Sequence, residues 1–422
     1  MKENIETFKA PTGTKDILPA EAAVWLSVEE KCRDIFDLYG YKPIRTPILE
    51  HSGLFNRSLG EETEIVKKQM FLIPRQTEIF CLRPEATAAV VRAYLENNLD
   101  KTDGFMKLYY MGPMFRAERP QKGRLRQFHH IGIEAIGSSN PYVDSEIIAL
   151  ARGILEELKI SGYQIKINSL GCPEDKQTLN RLLREKLKDK LEKLCEDCND
   201  RFNRNVFRIL DCKNDGCKQV VSELDLQYNE YLCQPCLQHF TIVKNNLDAL
   251  KVDYHSSTSL VRGLDYYTKT VFEISHPGLG AQDALGAGGR YDTLITNLGG
   301  PHLGAMGFAF GLERLLLAAP QESGVFAENL SVFVITLGEQ AQKKGFLLLQ
   351  ELRQARISCD MDYEDKSLKA QMRKAHDSKA RFAAILGENE LAKQVIALKD
   401  MRAGSQHEIA FTTIVNEIKE RL

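Results

Sequence analysis

At 422 residues the chain has room for roughly two to three domains, with cores large enough to need no disulfide. Its composition, 43% hydrophobic and 27% charged, is that of an ordinary globular protein, and no apolar run reaches the ~18 residues of a membrane span. A net charge of −2 excludes a global basic field, so nucleic acid can be met only by local patches, and the polar Met1–Ala10 segment makes the cytoplasm the expected compartment.

In chain order, Pro11–Asp16 reads as a turn-rich loop. Glu21–Leu38 carries apolar residues at helical spacing (Val24, Val28, Cys32, Ile35, Phe36), and Gly40 stops it. Ile44–Glu50 is extended, and Pro47 within it suggests a sheet edge or an interface strand. Arg83-Pro84-Glu85-Ala86-Thr87 opens a helix; an acid there complements the helix dipole, or with Thr87 captures an ammonium group. Phe105–Ala117 and Gln127–Ile136 are apolar, aromatic runs on either side of a basic turn, Arg119–Arg124, which predicts an antiparallel hairpin with a long tip.

Asp144–Leu158 is expected to be a helix and Gln164–Asn168 a short strand. Leu179–Leu194 has leucines at helical spacing and dense charge elsewhere, as on an amphipathic surface helix. From 171 to 256 the texture is helical and cysteine-rich, which reads as an insertion. Strand signals resume at Thr270–Ile274 and Ala305–Phe310, and a helix follows over Leu312–Leu317. Pro320–Asn329 is a linker. Beyond it, strands at Val332–Leu337, Ile357–Asp360, Phe382–Leu386, Gln394–Leu398 and His407–Phe411 are expected with helices at Gln340–Ala355, Ser367–Asp377 and Thr413–Arg421, a small α/β domain that begins βαβ.

Three arginine-bearing segments look suited to grip a triphosphate without a Walker A sequence. They are Phe115–Phe128 with Arg116, Arg124 and Arg126; Leu260–Tyr267 with Arg262; and Gly307–Arg314 with Arg314. Arginine is always charged and forks onto phosphate oxygens. Phe128 offers a flat ring for a purine, and nearby carboxylates suit a divalent ion. Gly286–Asp292 is glycine-rich without a dinucleotide or Walker pattern; alone it suits a tight turn or the floor of a small-ligand pocket.

Taken together, the proline-bearing Arg45–Glu50 segment, Phe115–Glu134, Gly307–Arg314, Leu260–Tyr267 and Gly286–Asp292 resemble, in order, the motifs of histidyl-tRNA synthetase, a class II aminoacyl-tRNA synthetase. The resemblance runs from about Phe8 to the C-terminus. It implies an α+β catalytic domain over 1–329, an antiparallel sheet flanked by helices, with the 171–256 insertion inside it and an α/β anticodon-binding domain over 330–422. It also implies a homodimer that uses ATP, Mg²⁺, L-histidine and tRNA(His), with no membrane partner. Arg116 and Arg262 would hold the α-phosphate, Arg262 standing where related enzymes use a metal ion. Phe128 and Arg314 would sandwich adenine, and Arg124 would reach the terminal phosphates. Glu85 and Thr87 would take the substrate ammonium. Glu134 and Tyr267 would hydrogen-bond the imidazole, with Tyr266 lining that pocket, and Gln121 would approach the tRNA acceptor end.

The chain departs from the family at His130, where glutamine usually stands beside the substrate amine, and at Ala86, where glycine is common. A neutral His130 can accept a hydrogen bond there, whereas a protonated one would repel the ammonium. A synthetase-like regulatory subunit, which typically lacks the C-terminal domain and the arginines, is the rival reading; Arg116, Arg262, Arg314 and that domain are all present here. The cysteines Cys195, Cys198, Cys212, Cys217, Cys233 and Cys236 leave two alternatives. Their spacing favours a structural zinc, yet the resemblance requires no metal in the insertion, and reduced thiols in a small helical domain fit as well. No metal ligand is assigned among the site residues.

Overall fold

The computed structural model describes residues 8–60, 63–102, 104–121, 123–280, 283–320, 330–364 and 366–422. Two compact units partition the chain, Met1–Glu322 and Ser323–Leu422. Most of the linker Pro320–Asn329, with Lys122 of the basic turn, lies outside the described residues.

The first unit has strands β1 (Lys42–Pro43), β2 (Leu49–His51), β3 (Phe71–Arg75), β4 (Glu78–Leu82), β5 (Met106–Phe115), β6 (Gln127–Ile136), β7 (Gln164–Ser169), β8 (His255–Ser256), β9 (Thr268–Ser275), β10 (Ala284–Arg290) and β11 (Ala305–Gly311). Eight of them form one sheet in the order β1-β5-β6-β11-β10-β9-β7-β8. Its six central strands pair antiparallel, and the two-residue edge strands β1 and β8 pair parallel. Strands β2, β4 and β3 make a separate small sheet.

Alternation along β6 decides what the large sheet does with its faces. Ile131, Ile133 and Ala135 point into a core filled by Trp25, Val28, Cys32 and Phe36 of helix Pro19–Leu38 and by Ile147, Ile154 and Leu155 of helix Pro141–Glu157. Phe128, His130 and Glu134 therefore emerge on the opposite face. There a second core of Leu108, Tyr110, Met114 and Val90 surrounds a depression instead of closing over it.

Several elements differ from expectation. The expected extended segment Ile44–Glu50 is mostly a connection: β1 ends before it at Pro43 on the large sheet, and only Leu49 and Glu50 fall in a strand, β2 of the small one. Pro47 between them cannot donate to a ladder, so the chain changes sheets there. The Leu179–Leu194 helix instead spans Pro173–Leu187, with Pro173 at its first turn, and then tightens to a 3₁₀ segment over Lys188–Lys193. The hairpin β3–β4 and the helix Glu388–Lys393 carried no sequence signal that was read. Gly286–Asp292 is no tight turn: it contributes most of β10, an interior strand. Helix Gln234–Ala249, within the expected 171–256 insertion, buries Phe240, Val243 and Leu247 in the core beneath the sheet.

The second unit holds β12 (Val332–Thr336), β13 (Cys359–Met361), β14 (Phe382–Leu386), β15 (Val395–Asp400) and β16 (Gln406–Ala410) in the order β13-β12-β14-β15-β16. Its first three strands are parallel and the last two antiparallel, as the early βαβ alternation foretold. Helices Glu339–Gln354 and Ile414–Arg421 bury Leu348, Leu349, Leu352, Ile414 and Ile418 against it.

Candidate active site

A cavity of about 780 Å³ opens over β6, β11, β10 and β9. Glu85, Thr87, Arg116, Arg124, Phe128, His130, Arg262, Tyr266, Tyr267 and Arg314, singled out in four separated segments, all line it. The antiparallel sheet is the device that gathers them: β5 and β6 bring the hairpin ends to the rim, and β11 leads directly into helix Leu312–Ala318, which carries Arg314.

One end is cationic. Arg116 lies with its guanidinium 5.2 Å from the Phe128 ring centre and donates from Nε to the Pro84 carbonyl at 3.0 Å. Burial, aided by Arg124 and Arg262 nearby, lowers its pKa to about 10, although Glu85 opposes the shift. Arg314 donates to the Gly123 and Ala284 carbonyls at 3.1 and 2.5 Å. Burial, then Arg124, pulls its pKa down too. Arg124 pairs with Glu118, and Arg262 with Glu273 from β9. Arg262 Nε is buried without a hydrogen-bond partner. Guanidiniums crowded in this way repel one another, and an anion placed among them relieves the repulsion.

The other end is built on carboxyls and phenols. Glu85, 3% exposed, caps helix Thr87–Glu96 by accepting the Thr87 and Ala88 N–H groups at 2.6 and 2.9 Å. Burial nevertheless raises its pKa. Glu134 does not itself line the cavity; it sits directly behind the wall at 1% exposure. Thr87 Oγ1 and Tyr110 Oη donate to its Oε1 at 2.7 and 3.3 Å, and Tyr291 Oη to its Oε2 at 2.6 Å. Burial pushes its pKa up to about 8 despite these bonds. Gly307 lies opposite Glu134 in the ladder, and a Cβ there would stand 1.9 Å from Oε2 and 2.5 Å from the Ile133 carbonyl, so only glycine leaves room for the carboxyl. Tyr266 and Tyr267 lie beside it, both buried, their ring centres 4.8 Å apart and their planes tilted by 56°. His130 Nδ1 is buried without a partner; burial, with Arg116 and Arg83, drives the ring's pKa to about 3 and keeps it neutral.

Gln121 is apart from this group. It forms a backbone bridge with Arg124 and lines a separate shallow cavity with Lys68 and Gln69. Sequence reasoning missed Tyr110, Tyr291 and Glu273. Tyr291 stood in the glycine-rich segment without a role, and Tyr110 and Glu273 sit in strands whose alternation alone could have aimed them at Arg262 or Glu134. Arg290 in that same segment is no ligand: fully buried, it pairs with Asp144 and Asp292 and donates to the Ser138 and Asn140 carbonyls.

A six-stranded antiparallel core with helices on one face, and an arginine-ringed cavity on the other, is the catalytic architecture of a class II aminoacyl-tRNA synthetase. Residues 13–315 match the family described as "Histidyl-tRNA synthetase", and residues 331–421 match "Anticodon binding domain". The chain belongs to the histidyl-tRNA synthetase family. It is 45% identical over 415 residues to a histidine–tRNA ligase of Natranaerobius thermophilus, covering 98% of this chain and 99% of that one. It is 42% identical over 419 residues to that of Clostridioides difficile, covering 98% and 99%. Among solved structures, apo histidyl-tRNA synthetase from S. aureus superposes with a TM-score of 0.81 at 34% identity, over 98% of this chain and 100% of that one.

Proposed function

We propose that the chain is a histidine–tRNA ligase. It joins L-histidine to ATP as histidyl-adenylate, releasing pyrophosphate, and transfers the histidyl group to the 3′ end of tRNA(His). The observation that carries this reading is one cavity with opposite ends, arginines over an aromatic ring at one and buried acids with phenols at the other.

The carboxylate of histidine attacks the α-phosphorus of ATP, a step that needs alignment and charge stabilisation more than a proton carrier. Arg116 and Arg262 take the α-phosphate; the unpartnered Arg262 Nε supports this role. Phe128 and Arg314 enclose adenine, and Arg124 reaches the terminal phosphates. Glu85, with the Thr87 hydroxyl, faces the ammonium, and neutral His130 accepts from it without repulsion. Glu134 and Tyr267 read the imidazole, with Tyr266 beside them. Glu134 already accepts three hydrogen bonds, and once ionised it has an acceptor position left for an imidazole N–H, since a carboxylate offers about four. Selectivity follows, because an analogue without that N–H leaves a buried acceptor unpaired.

Mg²⁺ suits this site as a companion of the triphosphate: Glu118, beside Arg124, is a hard oxygen donor of the kind Mg²⁺ shares with phosphates. When bound, it neutralises phosphate charge. Gln121, in the hairpin tip, approaches the tRNA acceptor end, and residues 330–422 take the anticodon. A homodimer is supported by apolar side chains left exposed on and beside the small sheet, Ile48, Leu49, Leu72, Ile73 and Ile79. The enzyme works in the cytoplasm, where tRNA is charged; among the described residues no helix is long and apolar enough to cross a membrane.

The test is ATP–pyrophosphate exchange with each standard amino acid in turn. Exchange with histidine alone is expected. Exchange with another amino acid keeps the activation chemistry and overturns Glu134 and Tyr267 as imidazole readers, and exchange with none overturns the ligase.

A further inference from the structure

Two groups of metal-ligating side chains converge in the helical segment between β7 and β9, outside the substrate contacts: Cys195, Cys198, Cys212 and Cys217; and Cys172, Asp175, Cys233 and Cys236. Within each group the ligand atoms lie within 4.8 Å of one another. We propose that each group binds a structural zinc ion, so that the chain carries two.

The local geometry has one repeated cause. Cys195, Cys172 and Cys233 each stand at the N-cap of a helix, Glu196–Arg204, Pro173–Leu187 and Gln234–Ala249 respectively. In each case the second ligand follows three residues later (Cys198, Asp175, Cys236), which sets both donors on one side of the first turn. In the first group Cys212 follows the 3₁₀ turn Val206–Ile209 by three residues, and Cys217 sits in helix Asp215–Ser222, whose cap Asn214 accepts the Gly216 and Cys217 N–H groups at 3.0 and 3.4 Å. In the second group the two N-capped helices face each other, so Cys172 and Asp175 meet Cys233 and Cys236.

Distances then separate a metal site from the alternatives. Tetrahedral coordination with Zn–S at about 2.3 Å sets neighbouring sulfurs about 3.8 Å apart. Cys195 and Cys212 stand 3.8 Å apart, far beyond the roughly 2.05 Å of a disulfide. The Cys195 N–H donates to Cys217 Sγ at 3.2 Å, which ties the two ligands together. In the second group Asp175 accepts the Cys172 and Cys233 N–H groups at 3.2 and 2.9 Å. These orient its carboxylate as outer bonds orient a metal ligand, with lone pairs to spare. Thiols left as thiols make only weak hydrogen bonds, whereas zinc adds folding free energy directly. Sulfur-rich tetrahedral sets select zinc over magnesium or calcium.

The first site also bears on the cavity. Cys195, Cys212 and Arg208 line its wall, and Arg208 Nη1 lies 3.4 Å from where a Cβ on Gly263 would be, next to Arg262. A zinc clamp at Cys195–Cys217 holds that wall in place.

Metal analysis of the full-length protein, purified under reducing conditions without chelator and dialysed against limiting Zn²⁺, tests the inference. About two zinc ions per chain are expected, and Cys198→Ser/Cys217→Ser and Cys233→Ser/Cys236→Ser should each remove about one. Co²⁺ exchanged into the wild-type protein should show thiolate-to-metal charge transfer and tetrahedral visible bands, a readout that stands if the variants do not fold. One zinc per chain overturns whichever site leaves the content unchanged when its cysteines are replaced. No zinc, iron in its place, or a Co²⁺ spectrum without thiolate bands overturns both.

Discussion

Replacing Gly307 by alanine tests the most constrained contact in the cavity. The new methyl would lie 1.9 Å from Glu134 Oε2, 2.7 Å from its Cδ and 2.5 Å from the Ile133 carbonyl. The carboxyl cannot swing away freely, since Thr87, Tyr110 and Tyr291 hold it, and the carbonyl belongs to the β6 ladder. Overpacking of this kind costs about 1–3 kcal/mol. If it is relieved by expelling Glu134 from its three donors, a similar free energy is lost from histidine recognition, and each 1.4 kcal/mol is about tenfold in binding. Steady-state pyrophosphate exchange with Gly307→Ala should therefore show the KM for histidine raised about tenfold or more, with the KM for ATP changed about twofold at most. Thermal unfolding should fall by several degrees, at roughly 2–4 °C per kcal/mol for a unit of this size class. A variant with wild-type Tm and wild-type histidine KM would refute the claim that this glycine exists to seat Glu134.

Arg262→Ala should reduce adenylate formation at least about a hundredfold, the scale of losing one transition-state donor, while histidine binding by equilibrium dialysis changes little; equal losses sink the α-phosphate role. Glu134 keeps its proton to about pH 8 when folded, whereas an unfolded carboxyl loses it near 4.5, so the folded state binds more protons between these values and stability falls as pH rises through that window. Glu134→Gln should flatten that decline in a Tm-against-pH series, and an unchanged slope contradicts it. Removing residues 330–422 should leave histidine-dependent exchange within about threefold and cut tRNA charging by about a hundredfold or more, several kcal/mol of lost tRNA contact; undiminished charging refutes the anticodon assignment.

What was legible in the sequence was periodic or punctuated. The β5–β6 hairpin showed as two apolar runs around a basic turn, and the C-terminal unit as alternating strands and helices. The glycine-rich β10 misled, because Gly286, Gly288 and Gly289 look like turn residues in one dimension. Packing supplies the other reason: a Cβ on Gly288 would meet the Gly307 carbonyl at 2.4 Å, so these glycines serve close approach of β10 to β11. Residues that act through others were invisible for a related cause. Tyr110 and Tyr291 lie 181 positions apart, and only the sheet brings both hydroxyls to Glu134. The cysteine spacing suggested knuckles, yet it could not reveal Cys172 and Asp175 as the partners of Cys233 and Cys236, since that pairing rests on two helix starts 61 positions apart.

The cavity gathers like charges at each of its two ends, and the two imbalances match the two substrates. At the arginine end, burial holds Arg116, Arg124 and Arg314 below the ordinary guanidinium range, and repulsion from neighbouring arginines adds to it at Arg116 and Arg314. A triphosphate brings the negative charge that offsets this penalty. At the acid end burial raises the pKa of both Glu85 and Glu134, and at Glu85 the Arg116 charge opposes that shift without overcoming it. An amino acid arriving with its ammonium supplies a further positive charge, which favours ionisation of both carboxyls. Neutral His130 fits the same arrangement: with its pKa near 3 it adds no positive charge between an incoming ammonium and the arginines. The charges needed for adenylate formation are thus assembled by the substrates themselves, which ties the site's ionisation to occupancy at both ends of the cavity.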